Sequence, residues 1–167
     1  MFTKTKIIFV ITVLCLTIPF SVLAKKPQKG EWAGFFDAEP AIDCGDYTIF
    51  DNIVFEVSWI DFFDKSGDWI RTFENYRIYE DFYRDGKPVH LSSKSEFHVQ
   101  AFYFDGEWQY EQRQGLFNQV TVPGYGNLFI QAGRIMRDSD GFFFEKGQGM
   151  GDFEASTAKL CDYLRQE

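Results

Sequence analysis

His90 and His98 each stand between apolar neighbours, in Val89-His90-Leu91 and Phe97-His98-Val99. Two imidazoles facing each other across a hairpin, with Glu96 close by, would hold a metal or act as a base. A catalytic zinc needs a third ligand, and outward-facing strand positions explain both histidines better, so no metal site is assigned. Ser92, Ser93 and Ser95 lie in no GxSxG elbow, which removes the serine-nucleophile reading. Glu56, Asp61, Glu74, Glu80, Glu107 and Glu111 are of the right type for the paired carboxylates of glycoside hydrolysis. Spacing alone selects no two of them, and a solvated acidic face is the better account, so no catalytic residue is assigned.

Two glycine- and aspartate-rich stretches invite ligand readings. Gly147-Gln148-Gly149-Met150-Gly151 would present amides to an anion, yet it matches neither GxGxxG nor the P-loop and reads as a link into a helix. Asp138-Ser139-Asp140-Gly141 begins like a calcium loop. Its twelfth position is Gly149 where a bidentate Glu is required, so it is a turn. No cofactor is implied by either.

The aromatic residues carry more information. Trp59, Trp69, Phe73, Tyr76, Phe102, Tyr103, Trp108, Tyr110 and Phe129, with Phe142, are spread over many strands. Facing inward, they would either fill a core or line a pocket for an apolar or aromatic ligand.

The elements that would position them read as strands. Ile53, Phe55, Val57 and Trp59 alternate with Glu56 and Ser58, the two-residue period of a half-buried strand. Lys65-Ser66-Gly67-Asp68, Asp85-Gly86, Asp105-Gly106 and Asp138-Ser139-Asp140-Gly141 mark turns between such runs. Only Phe153 to Leu164 carries helical spacing, with Ala158, Cys161 and Leu164 on one stripe. The pattern predicts about eight antiparallel strands in an up-and-down β-barrel with a short C-terminal helix, a β-sandwich being the competing solution.

Residues 1–24, MFTKTKIIFVITVLCLTIPFSVLA, have the form of a secretory signal peptide. Lys4 and Lys6 precede a short apolar run, and Val22 and Ala24 suit a signal peptidase cutting after Ala24. Leu14 before Cys15 is not a lipobox residue. Residues 25–43, with Pro and Gly and no clear period, read as an exposed leader ahead of a single domain over 44–167. Cleavage would leave Cys44 and Cys161 as an even pair in an exported protein, which reads as a structural disulfide. A redox pair would need CxxC spacing.

The full chain of 167 residues carries 25 Asp and Glu against 17 Lys and Arg, for a net charge of −8, and 19% of it is aromatic. Such an acidic chain lacks the basic face that nucleic acid or anionic lipid requires. Its 45% hydrophobic content suffices for one packed domain. After signal cleavage no segment reads as a membrane span, and the oligomeric state is not legible.

Several motifs together resemble those of an uncharacterised family of secreted bacterial proteins with a signal peptide and one Cys near each end. These are Cys44-Gly45, Asp64-Lys65-Ser66-Gly67, Asp85-Gly86-Lys87-Pro88-Val89, Gly124-Tyr125-Gly126, Ala132-Gly133-Arg134 and Leu160-Cys161, covering about residues 44–164. The resemblance implies a small β-barrel, similar in outline to lipocalins or to the allene oxide cyclase and dirigent barrels. It brings no activity and no catalytic residue. Gly30-Glu31-Trp32 has the letters of the lipocalin Gly-x-Trp signature but precedes Cys44. The function expected is a secreted, non-catalytic β-barrel binding an apolar or aromatic small molecule. An extracellular or envelope interaction module with a filled core, and a small barrel enzyme of cyclase or hydrolase type, are the alternatives.

Overall fold

Short polar turns set the connectivity. Asp64 Oδ1 accepts from the amides of Ser66 (2.8 Å) and Asp68 (2.9 Å), closing the turn over residues 64–68. Asp105 and Gly106 both adopt left-handed φ, 51° and 78°, as a tight Asp-Gly hairpin requires. The computed structural model describes residues 25–122, 124, 126–149 and 153–166. Expectations on residues 1–24, and on Met150 and Gly151, lie outside the described residues.

Seven strands form one antiparallel sheet in sequence order: β1 (Gln28–Asp43), β2 (Thr48–Phe63), β3 (Trp69–Arg84), β4 (His90–Phe104), β5 (Glu107–Val122), β6 (Gly126–Asp138) and β7 (Gly141–Gln148). One helix, α1 (Phe153–Gln166), follows. The all-β antiparallel class with a C-terminal helix is therefore observed. The sheet is open, with β1 and β7 as its edges, and there is one sheet rather than the two of a sandwich.

Among the described residues the strand count is seven, not about eight, because the strands are long. Ser92, Ser93 and Ser95, which read from the sequence as strand or turn residues, continue β4. Ser93 Oγ donates to Glu80 Oε2 (2.9 Å) and lies 2.8 Å from Asn118 Oδ1, while Ser95 Oγ donates to the Phe117 carbonyl (2.6 Å). Polar positions satisfied inside the sheet hide a strand from a hydrophobicity pattern.

Residues 28–43 are likewise a strand and not a leader. The alternation is masked because two inward positions are glycines. A β-carbon at Gly30 would lie 2.2 Å from the Trp59 ring, and one at Gly34 2.6 Å from Phe55. The large rings of β2 thus lie over bare backbone of β1, and Gly30-Glu31-Trp32 falls within this edge strand. A bulge between Phe36 and Glu39, with Ala38 at φ 53°, and Pro40 then limit further pairing.

One face of the sheet is inward. At one end of it, Ile49, Phe82, Leu91, Val120 and Val122 pack against Leu160, Cys161 and Leu164 of α1. Leu160 and Leu164 are about 1% exposed, and each such side chain contributes roughly 2 kcal/mol by burial. The buried helical stripe runs through Ser156, Leu160, Cys161 and Leu164. Ala158 faces solvent. Cys161 is disulfide-bonded to Cys44, their Cα atoms 5.7 Å apart. The Tyr47 hydroxyl donates to the Cys161 carbonyl, and Arg165 reaches Asp46 at 3.1 Å, so α1 is fastened to the β1–β2 connection at three points.

Candidate functional site

Beyond the helix the same inward face is uncovered. Register gives its rows directly. One row crosses all seven strands through Trp32, Val57, Tyr76, Phe97, Gly115, Gly133 and Gly147. Tyr76 and Phe97 stack with ring centroids 5.0 Å apart, and Phe97 also meets Phe117. The three glycines that follow have φ of 143°, 159° and 157°. A β-carbon at any of them would come within 2.1 to 2.5 Å of a neighbouring strand's carbonyl oxygen, so no other residue fits. Glycine kinks of this kind bend sheets, as do the bulges found in most of the strand pairs. The result is a strip of bare backbone two strand spacings wide, about 10 Å, beside a stacked aromatic pair.

The next two rows place a polar cluster against this strip. The nearer row runs Trp59, Glu74, Val99, Arg113, and the further one runs Asp61, Thr72, Ala101, Glu111, Arg137. Glu111 is buried, and its Oε1 accepts from Nε of both Arg113 and Arg137, each at 2.6 Å. Thr72 donates to Asp61 (2.8 Å), and the Tyr76 hydroxyl donates to Glu74 Oε2 (3.0 Å). Burial pushes the Glu74 carboxyl above its usual range, opposed by the Tyr76 hydrogen bond. Burial and the adjoining Glu74 carry the Tyr76 hydroxyl up to about 12, and burial also raises Tyr103.

A second pair of carboxyls sits nearer the helix. Asp51, 3% exposed, is raised to about 7, chiefly by burial and then by the charge of Glu80. Glu80 is itself raised by burial, against the Ser93 hydrogen bond.

Of the nine aromatic residues singled out from sequence, Trp59, Tyr76, Tyr103 and Phe129 are inward. Trp69 stacks on Tyr103 at 4.1 Å, and Trp108 lies opposite Tyr103 in register. Phe73, Phe102 and Tyr110 are on the outer face, where Phe73 stacks on His98 and Phe102 on Tyr110. The nine therefore belong to two surfaces. Of the six carboxylates, Asp61, Glu74 and Glu111 converge, whereas Glu80 belongs to the helix-side pair, Glu56 to the outer face, and Glu107 is exposed at the start of β5.

His90 and His98 do not meet. Both project from the outer face of β4, eight residues apart, which is about 26 Å of strand. His90 contacts Asp81 (2.7 Å), and His98 contacts Asn75. Among the described residues no group of three or more His, Cys, Asp or Glu side chains is arranged to hold a metal. Asp138-Ser139-Asp140-Gly141 is the β6–β7 turn, closed by Asp138 accepting from the Asp140 amide (2.9 Å).

The outer face also carries a depression of roughly 590 Å³ over β1 to β4. Its polar floor is the ladder Glu56, Arg77, Glu96, continued by Lys94, with exposed side chains paired to one another. Such surface pairs are a solvated face worth little individually.

What sequence reasoning missed is the combination of arginines with bare backbone. The Glu111-x-Arg113 alternation was the available signal, since residues two apart on a strand share a face.

Comparison with protein-family models, with curated proteins and with solved structures finds no match to this chain. Among the described residues no helix is long and apolar enough to cross a membrane.

Proposed function

We propose that this chain is a secreted, non-catalytic protein that binds an apolar or aromatic small molecule on the inward face of its sheet. The observation that carries the reading is the seven-strand row in which the stacked rings of Tyr76 and Phe97 give way to three glycines. A flat ligand lying on that strip meets backbone below and an aromatic wall beside it. The disulfide suits an exported protein. Native mass spectrometry of the disulfide-intact protein from culture medium tests this. A reproducible added mass that leaves on gentle activation is the expected result. A bare mass, unchanged after incubation with lipid and aromatic extracts, overturns it.

The same proposal takes the sheet as a barrel opened between β1 and β7. The meander order, the kinks and the residues buried on one face support that geometry. In a closed barrel the outward amides of β1 and β7 would be protected from hydrogen exchange, and in an open one they exchange freely.

An interaction module is the second reading, favoured by the edges. Trp32, Phe35 and Phe36 on β1 are 60%, 75% and 48% exposed, and Phe142 and Phe143 on β7 are 68% and 54% exposed. Strand addition by a partner would cover both the rings and the unpaired amides. An enzyme of hydrolase or cyclase type is favoured only by the raised carboxyls of Glu74 and Asp51.

A further inference from the structure

We infer that the ligand of this face is a neutral, hydroxylated aromatic ring, of polyphenol chemistry. This rests on the binding reading above and names its ligand.

The argument is an inventory of donors and acceptors around the glycine strip. Glu74 and Asp61 accept only, the guanidinium groups of Arg113 and Arg137 donate only, and the Tyr76 hydroxyl does both. Glu111 uses Nε of each arginine, and among the described residues their terminal Nη groups have no protein partner. The arginines are 33% and 41% exposed at the side chain, so these donors remain reachable. Three carboxylates stand against two guanidinium groups in this cluster.

An anionic ligand would satisfy the arginines and meet Glu74 and Asp61 with like charge. A cation would satisfy the carboxylates and meet the arginines. A purely apolar ring would strip water from all of them and return no hydrogen bond, which is costly. Neutral hydroxyls, each both donor and acceptor, match the mixed set without net charge. The ring that carries them needs a flat face to stack beside Tyr76 and Phe97 and to lie on backbone lacking side chains. Polyphenols have that chemistry.

The experiment is calorimetric titration of the purified, disulfide-intact protein with four probes: cellohexaose, catechin, 1-naphthoate and indole. Binding of catechin at least about tenfold tighter than of the other three is expected. Glu74→Gln and, independently, Tyr76→Phe should weaken that binding about tenfold. Tighter binding of 1-naphthoate, or of indole, overturns the inference and leaves the binding-protein reading standing, whereas tighter binding of cellohexaose overturns the inference and the aromatic ligand of that reading together. Hydroxylated rings that bind equally well to both variants also overturn it, since the ligand then lies elsewhere. If none of the four binds, the inference and the binding reading fall together.

Discussion

Tyr76 and Phe97 lie directly opposite each other on β3 and β4, their ring planes 9° apart, and the next residue in their row is Gly115. The row is aromatic on β3 and β4 and glycine on β5, β6 and β7. Where the chain adopts left-handed φ and strands approach closely, no side chain fits, and the rings occupy the adjoining positions. Gly133→Ala should therefore be severe, because its β-carbon would lie 2.2 Å from the Lys146 carbonyl oxygen. Gly67→Ala, at φ 92° with nothing within 4 Å, meets only the backbone penalty. We expect a loss of about 3 kcal/mol for the first and about 1 kcal/mol for the second in urea unfolding. Equal losses would mean that the close approach is not what requires glycine.

The disulfide spans 117 residues and holds α1 onto the helix-side core. In the chain-entropy model, closing a loop of that length stabilises by roughly 4–5 kcal/mol. Cys44→Ser and the double variant Cys44→Ser/Cys161→Ser should lose similar amounts, and reduction of the wild type should match them. A wild-type melting curve indifferent to reductant would show that the cross-link contributes nothing.

Asp51 sets a pH dependence of opposite sign to that of a salt-bridged carboxylate. Its folded-state value is raised from 3.8 to about 7, so between those values the native state holds the proton more tightly than the unfolded chain. Its contribution to stability is full at low pH and is lost as pH rises through about 4 to 7. Glu80, also raised, adds in the same direction. After allowance for solvent screening, Asp51 should cost on the order of 2 kcal/mol by pH 7. Asp51→Asn should be more stable than wild type at pH 7 and flatten the profile. A variant whose stability rises with pH as the wild type's falls would contradict this.

Glu111 has two arginine partners on one oxygen, so the two are partly redundant. Arg113→Ala and Arg137→Ala should each cost about 1 kcal/mol. The double variant, leaving a buried carboxylate alone, should cost about 3 kcal/mol or more. Additive losses in the double-mutant cycle would show that the three side chains do not act as a unit.

Much of this protein was legible along the chain. The Asp-Gly and Ser-Gly turns, the alternation through Ile53, Phe55, Val57 and Trp59, the terminal helix and the Cys44–Cys161 pair are local or countable features. They are set by backbone φ preferences, side-chain period and an even thiol count. β1 and the middle of β4 were obscured for a physical reason. Their inward positions include Gly30, Gly34, Ser93 and Ser95, small or hydrogen-bonded residues that carry no hydrophobic signal.

Register decided the rest. Gly115, Gly133 and Gly147 are separated by 18 and 14 residues, and they fall in one row only because the hairpins and bulges bring them there. Arg113 shares a face with Glu111 by alternation alone. Arg137, 26 residues from Glu111, reaches the same oxygen only after the bulges at Leu116/Asn118 and Val120/Thr121. A one-residue slip in β6 would turn Arg137 to the opposite face, because side chains on a strand alternate with a period of two. Alternation decides which residues can share a face, and the pairing of distant strands decides which of them meet.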